Sequence, residues 1–273
     1  MNWMMAAILV CGLSVFTACS SDDDNKPASD LVDKIAGKWL YVEYDGKTAE
    51  SDEFSVTTFV KEGSELKAYI TQSAKKYDLW VHNQPAEVEI DGNKITVTMH
   101  SGNVTTVEEM TDITVSDNDL CYTSRFTVYK NGEVFDNMQY RLRSIKVRDD
   151  YSQIFIGRGE GPITSDDPDF SPKPFCEEYL PNGTNIEYKL VNNQWVKVDV
   201  DYAEYFIDGN LLCTRWKYPG QEEERENDIF VSYDNGILVL NALLVHNGHL
   251  LYTYTNRMKK VVQIAIDLYD LLG

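Results

Sequence analysis

The sequence predicts an all-β protein built as two tandem small antiparallel β-barrels of about eight strands each. Three observations predict it: a hairpin-forming stretch occurs twice, further landmarks return in the same order, and short alternating runs are punctuated by turn signals throughout. Residues 113–142 (ITVSDNDLCYTSRFTVYKNGEVFDNMQYRL) and 229–258 (IFVSYDNGILVLNALLVHNGHLLYTYTNRM) superpose at an offset of 116. Ile113 then falls on Ile229, Ser116 on Ser232, Asn131-Gly132 on Asn247-Gly248, and Arg141 on Arg257. Each copy is two runs joined by Asn-Gly, the dipeptide that accepts positive φ at both centres of a type I′ hairpin turn. Ile35-Ala36-Gly37 returns as Phe155-Ile156-Gly157 and Gly63-Ser64 as Gly183-Thr184, both at 120, while Ile90-Asp91-Gly92-Asn93 returns as Ile207-Asp208-Gly209-Asn210 at 117. Ordered landmarks with a drifting offset are what a duplication with small loop deletions leaves behind.

Taken in order, residues 1–18 carry no charged side chain and are apolar through Ile8–Val10 and Leu13–Phe16. That is too short to span a bilayer and the right length for the apolar region of a signal peptide. The segment ends in Thr17-Ala18-Cys19, followed by Ser20-Ser21-Asp22-Asp23-Asp24, which resembles the lipobox of bacterial lipoproteins. That resemblance implies a diacylglyceryl group on Cys19. Residues 19–30 read as an acidic tether, too poor in apolar side chains to order themselves. The Ser-Asp run also resembles the export signal of surface lipoproteins of Bacteroides-like bacteria. The expected address is therefore the outer membrane, lipid-anchored and at the cell surface, with the periplasmic leaflet as the alternative.

The first barrel is expected over residues 31–148, opening with a short helical turn in LVDKIAGKW (31–39). Ile95, Val97 and Met99 alternate with polar residues and so face its core. Transferred by 117, this alternation places Leu212, Thr214 and Trp216 inward and Leu211, Cys213 and Arg215 outward. The second barrel is expected over 149–260. In it Ile237–Leu240 and Ala242–Val245 are apolar on both faces, which requires a cover on each. Either the other barrel or the apolar tail 261–273 is expected to supply the outer cover. Cys121, Cys176 and Cys213 are too few for a disulfide framework, and a Cys176–Cys213 pairing stays open.

The formal charge is −19. Nucleic-acid affinity comes mainly from Lys and Arg displacing counterions, so a nucleic-acid partner is excluded. Gly157-Arg158-Gly159-Glu160-Gly161 lacks phosphate-loop spacing and reads as a first strand. No GxSxG, HExxH or Cys–His arrangement is present. His246 and His249 flank a turn without a carboxylate, and the acidic runs lack calcium-loop spacing. No catalytic residue, metal ligand or cofactor is expected. Trp80 and Trp195 occupy similar places before the Asp-Gly hairpins, and with Trp216 are candidate stacking surfaces for a ligand. Asp136, between Val134 and Met138 on an inward row, and its counterpart Tyr252 are candidate contacts too.

Gly37-Lys38-Trp39 after a short helical turn is similar to the Gly-x-Trp opening of lipocalins. EYFIDGNLLCTRW (204–216) resembles the lipocalin-like domains of Bacteroides-type lipoproteins. The resemblance covers most of 31–147 and 150–260. It implies small barrels on a lipid tether without enzymatic activity, with Trp39 plugging one barrel end and Arg141 of the last strand against it. Gly159 stands at the Trp position of the second copy, so that plug is expected to be missing there. Two functions follow: a surface lipoprotein binding a small apolar or glycan ligand, or a structural or interaction subunit with a surface protein partner.

Overall fold

A computed structural model of the protein describes residues 28–63 and 65–261. The signal segment 1–18, Cys19, most of the tether and all of the tail beyond Val261 lie outside the described residues. Helix α1 (Ala28–Ile35) begins inside the stretch expected to be tether. It forms there because Asp30 complements the dipole of its first turn and Val32 and Ile35 turn inward onto the barrel.

The first module consists of β1 (Gly37–Tyr44), β2 (Lys47–Thr48), β3 (Ser55–Glu62), β4 (Glu65–Ala74), β5 (Leu79–Asp91), β6 (Lys94–Ser101), β7 (Val104–Val115), β8 (Asp119–Lys130) and β9 (Glu133–Lys146). Each strand pairs antiparallel with its sequence neighbour, and β1 pairs with both β3 and β9. Eight strands thereby close into an up-and-down barrel, with the two-residue β2 as a flap on β1. Closure leaves no unpaired edge, which is how such a sheet avoids edge-to-edge association. Helix α1 caps the end where β1 begins.

The second module consists of β10 (Gly157–Ser165), β11 (Lys173–Tyr179), β12 (Asn185–Val191), β13 (Gln194–Lys197), β14 (Tyr202–Asp208), β15 (Leu211–Lys217), β16 (Glu223–Asp234), β17 (Ile237–His246) and β18 (His249–Lys260). A one-turn helix, α2 (Ser152–Phe155), precedes it as α1 precedes the first. The strand order is β13-β12-β11-β10-β18-β17-β16-β15-β14, a half-barrel. Where the first module has one 13-residue strand, β5, the second has two short ones. Asn192 and Asn193, both at positive φ, fold β13 back onto β12, so β13 takes the edge that β5 occupies in the closed barrel. Only a bridge at Thr184–Glu204 and the Tyr205 N–H to the Gly183 carbonyl (2.8 Å) link β12 to β14.

Both Asn-Gly turns have positive φ at both centres, as type I′ requires (Asn131 54°, Gly132 84°; Asn247 51°, Gly248 74°). The superposition of Ile113 and Ser116 on Ile229 and Ser232 does not survive. Thr114 pairs with Cys121, whereas Ile237, the counterpart of Cys121 at 116, pairs with Asp234. The structural offset at this strand end is therefore 120, because the β16–β17 connection is a tight Asn-Gly turn and β7–β8 has a longer loop.

Leu211 and Cys213 point away from the second lumen, as the register predicts, yet both are fully buried. The first barrel covers them. Leu40, Phe54 and Val56 form one cluster with Phe206, Leu211 and Cys213, and Leu243, on the outer row of β17, packs against it. On that outer row Leu243 is thus covered by the neighbouring module, while Ile237 stays exposed. Phe206 lies between Trp80, at 4.4 Å between ring centroids, and His82, stacked at 5.0 Å. Polar groups fix the register of this contact. Asp208, at the β14–β15 turn, accepts from Lys38 and from Thr71 Oγ1 (2.5 Å). Asn227 Nδ2 donates to the Ser51 and Ser73 carbonyls (2.7 and 3.1 Å), and the Arg225 guanidinium to the Leu79 carbonyl (2.5 Å).

Gly209 sits at the centre of this joint. Its φ is +61°, and a Cβ there would lie 2.3 Å from Val147 Cγ1. Gly209→Val is expected to wedge the modules apart and split a single thermal unfolding transition into two, read by scanning calorimetry. A single unshifted transition would contradict the joint. The three described cysteines are free thiols.

Candidate functional site

The interior of the closed barrel is only partly filled. Leu79, Val81, Met99, Val104 and Val128 pack the side next to β5 and β6. Beside them a cavity of about 350 Å³ runs along β1, β3, β4 and β7–β9. Its floor is Trp39, 1% exposed, whose indole Nε1 donates to the Ile35 carbonyl at the end of α1 (2.8 Å). Its rim carries the short turns 51–53 and 75–77. The wall is largely apolar: Phe59, Ile70, Met110, Leu120, Phe126 and Leu142.

Polar groups interrupt that wall: Thr57, Gln72, Thr106 and Ser144 on the strands, Glu50, Asp52, Glu53 and Lys76 towards the rim, and Glu108 among them. Glu108 projects inward from β7 on the same row as Thr106 and Met110, and the Ser124 hydroxyl donates to its carboxylate at 2.7 Å. Burial pushes the Glu108 carboxyl above its ordinary range, opposed by hydrogen bonds from Ser124 and Tyr122. Burial, with Glu108 alongside, pushes the Tyr122 phenol well up. The lumen therefore presents apolar side chains interspersed with hydroxyls, with Glu108 a weakened acid among them. At the rim, burial raises Glu53 and desolvation raises Tyr41.

The half-barrel holds a smaller cavity of about 210 Å³. Phe175, Tyr179, Trp216 and Tyr218 contribute its aromatic wall, and Glu177, Glu187, Glu226 and Asp228 its acidic one. Glu226 pairs across from Thr214 as Glu108 pairs across from Val97, and Thr214 and Val97 are counterparts at 117. Measured against β6 and β15, Glu108 and Glu226 are counterparts, two residues short of the offset of 120 that β8 and β17 give. Space exists here because glycines stand at 159 and 161 on β10, where β1 carries Trp39 and Tyr41 inward. Met258 reaches into the place of the missing indole, 2.6 Å from where a Gly159 Cβ would be. Tyr151, Phe155, Tyr179, Tyr205 and Phe230 pack together as the plug instead.

No protein-family model matches the chain, and no curated protein does.

The expected contact residues scatter. Trp216 lines the second cavity. Asp136 stands at the rim of the first, but Lys76 Nζ (2.6 Å) and the Tyr77 hydroxyl (3.1 Å) engage its carboxylate. The Lys76 bond holds the Asp136 carboxyl below its usual range. Its role is to pin the 75–77 turn. Trp80 is in neither lumen; it packs in the joint between modules, with the Arg215 guanidinium 4.6 Å from its ring centroid. Trp195 pairs with Leu190 on the β12–β13 hairpin, and Tyr252 sits opposite Leu244 near a turn; neither lines a cavity.

Arg141 does not back Trp39. It is exposed and donates to the Asp112 carbonyl, whereas Lys146, in direct register with Trp39, lies 5.2 Å from the indole centroid. The strand after Arg141 is long enough to bring a second cation to the barrel floor. Among the described residues, no group of three His, Cys, Asp or Glu is disposed to hold a metal ion.

Proposed function

We propose that the closed barrel is a non-enzymatic binding module for a small, mainly apolar ligand carrying one hydrogen-bonding group, on a protein tethered to the outer membrane through Cys19 and displayed at the cell surface. The observation that carries the binding reading is the cavity of about 350 Å³, whose apolar side chains are interspersed with hydroxyls and with the Glu108 carboxylate. Ligand pockets are commonly of this size and lining. Apolar side chains take the larger share of the lining, which favours an apolar occupant over a glycan. The tether rests on the Thr17-Ala18-Cys19 junction and the acidic run after it.

Titration of the protein with N-phenyl-1-naphthylamine, followed by dye fluorescence and tryptophan quenching, tests the lumen. Saturable binding is expected, abolished in Thr57→Trp, which fills the cavity beside Trp39, with the circular dichroism of the barrel retained. Glu108→Gln, which keeps the shape and removes the charge, should bind the dye as well as the parent. Palmitate labelling lost in Cys19→Ala, and protease sensitivity on intact cells, test the anchor and its orientation.

A second reading has one specific observation behind it. Val134-Phe135 and Leu250-Leu251 directly follow the two Asn-Gly turns but for one residue, at equivalent positions, and all four are about half exposed (47–60%). Apolar pairs kept at two hairpin tips suit contact with a protein partner. The absence of any saturable dye binding would favour that interaction subunit over a ligand carrier.

A further inference from the structure

The half-barrel cavity differs from the barrel lumen in what it lacks. Glu177 accepts from the Tyr179 hydroxyl and from Asn185 Nδ2 (3.0 Å), and Glu187 accepts from the Tyr218 hydroxyl (2.7 Å). Glu226 and Asp228 have no side-chain hydrogen bond among the described residues. Asp228 is only 7% exposed, lines the cavity, and its Oδ1 is fully buried without a partner. The Oδ1 of Asn256, on the same wall, is also buried and unpartnered. The unmet groups on this wall are acceptors, and four carboxylates, Glu177, Glu187, Glu226 and Asp228, line a space of about 210 Å³. Arg215 also lines the cavity, but its guanidinium is held by Glu204 and turned onto Trp80 in the joint.

A buried carboxylate of this kind costs several kcal/mol unless a donor or a cation meets it. The cavity has aromatic walls as well, and aromatic faces attract organic cations. A metal ion is a poor fit, because the carboxylates are spread around the cavity and no three are disposed to ligate one centre. We propose that the second module binds a small aliphatic amine, one ammonium seated between Glu226 and Asp228 and its alkyl chain against Trp216 and Tyr218. An ammonium supplies three donors and a charge to the acceptors that lack them. Burial and the neighbouring carboxylates push Asp228 and Glu226 above their ordinary range, and burial takes Glu177 up to about 8, the response of acids that have no cation beside them.

The test is calorimetric titration of the full chain with 1,4-diaminobutane against sodium chloride and calcium chloride at matched ionic strength. Saturable diamine binding is expected, weakened roughly thirtyfold or more in Glu226→Gln/Asp228→Asn and unchanged in Asp166→Asn/Asp167→Asn, a surface control. Without amine, the lumen variant should melt higher than the parent, since it removes uncompensated charge. Thr214→Lys, which puts an ammonium opposite Glu226, should block the diamine and keeps the test open if the double variant fails to fold. Diamine heats no larger than those of sodium chloride, equal binding in either lumen variant, or calcium binding that displaces the diamine would each overturn the proposal.

Discussion

Replacing Trp39 with Ala is expected to cost the first barrel about 3–5 kcal/mol, the largest loss of any single substitution in that module. The indole is essentially unexposed, closes the floor of the lumen against Val32 and Ile35, and ties β1 to the end of α1 through its one polar atom. Truncation would leave a void of indole size beneath an existing cavity, which the surrounding strands, paired on both edges, cannot collapse to fill. Chemical denaturation followed by circular dichroism measures the loss. Trp39→Phe should recover most of the packing and none of the hydrogen bond. Retention of full stability in Trp39→Ala would mean that α1 alone seals the barrel.

Stability is expected to fall as pH rises from about 5 to 8. The carboxyl of Glu177 is displaced to about 8 in the folded protein from an ordinary value of 4.5, chiefly by burial. Between those values the folded state holds more protons than the unfolded one, so unfolding becomes easier as protons are withdrawn. Glu108, Glu226 and Asp228 are displaced the same way. Asp136 and Glu109 are lowered, by the bonds from Lys76 and Lys94. Their stabilising contribution is lost only as pH falls below the ordinary carboxylate range, outside this window. Glu177 lines an open cavity, so its share is discounted to about 1–3 kcal/mol. Thermal melts across the range measure it, and Glu177→Gln should flatten the profile; an unchanged slope in that variant would move the effect to the other acids.

The fold was legible because turn chemistry and alternation are local. Asn-Gly and Asp-Gly fix where strands reverse, and the row Ile95, Val97, Met99 fixes which face is wet; both carry across the duplication to Leu212 and Cys213. What escaped is set by contacts between distant strands. Trp80 looks like an exposed stacking platform until Phe206 of the other module is laid on it. Arg141 followed only from the lipocalin resemblance, whereas register with Trp39 selects Lys146. The inward acids Glu108, Glu226 and Asp228 look ordinary among 44 acidic residues. A signal was present: Val104, Thr106 and Met110 alternate around Glu108, and Phe230 continues the row of Glu226 and Asp228. The slip of offset between β7 and β16 hid the correspondence of Glu108 with Glu226.

The segment 51–53 that rims the first lumen is gripped from outside by Asn227, a residue of the second module. The rim of the closed barrel is therefore braced by a residue of its neighbour, and a chain without residues 149–260 is expected to have a loosened lip.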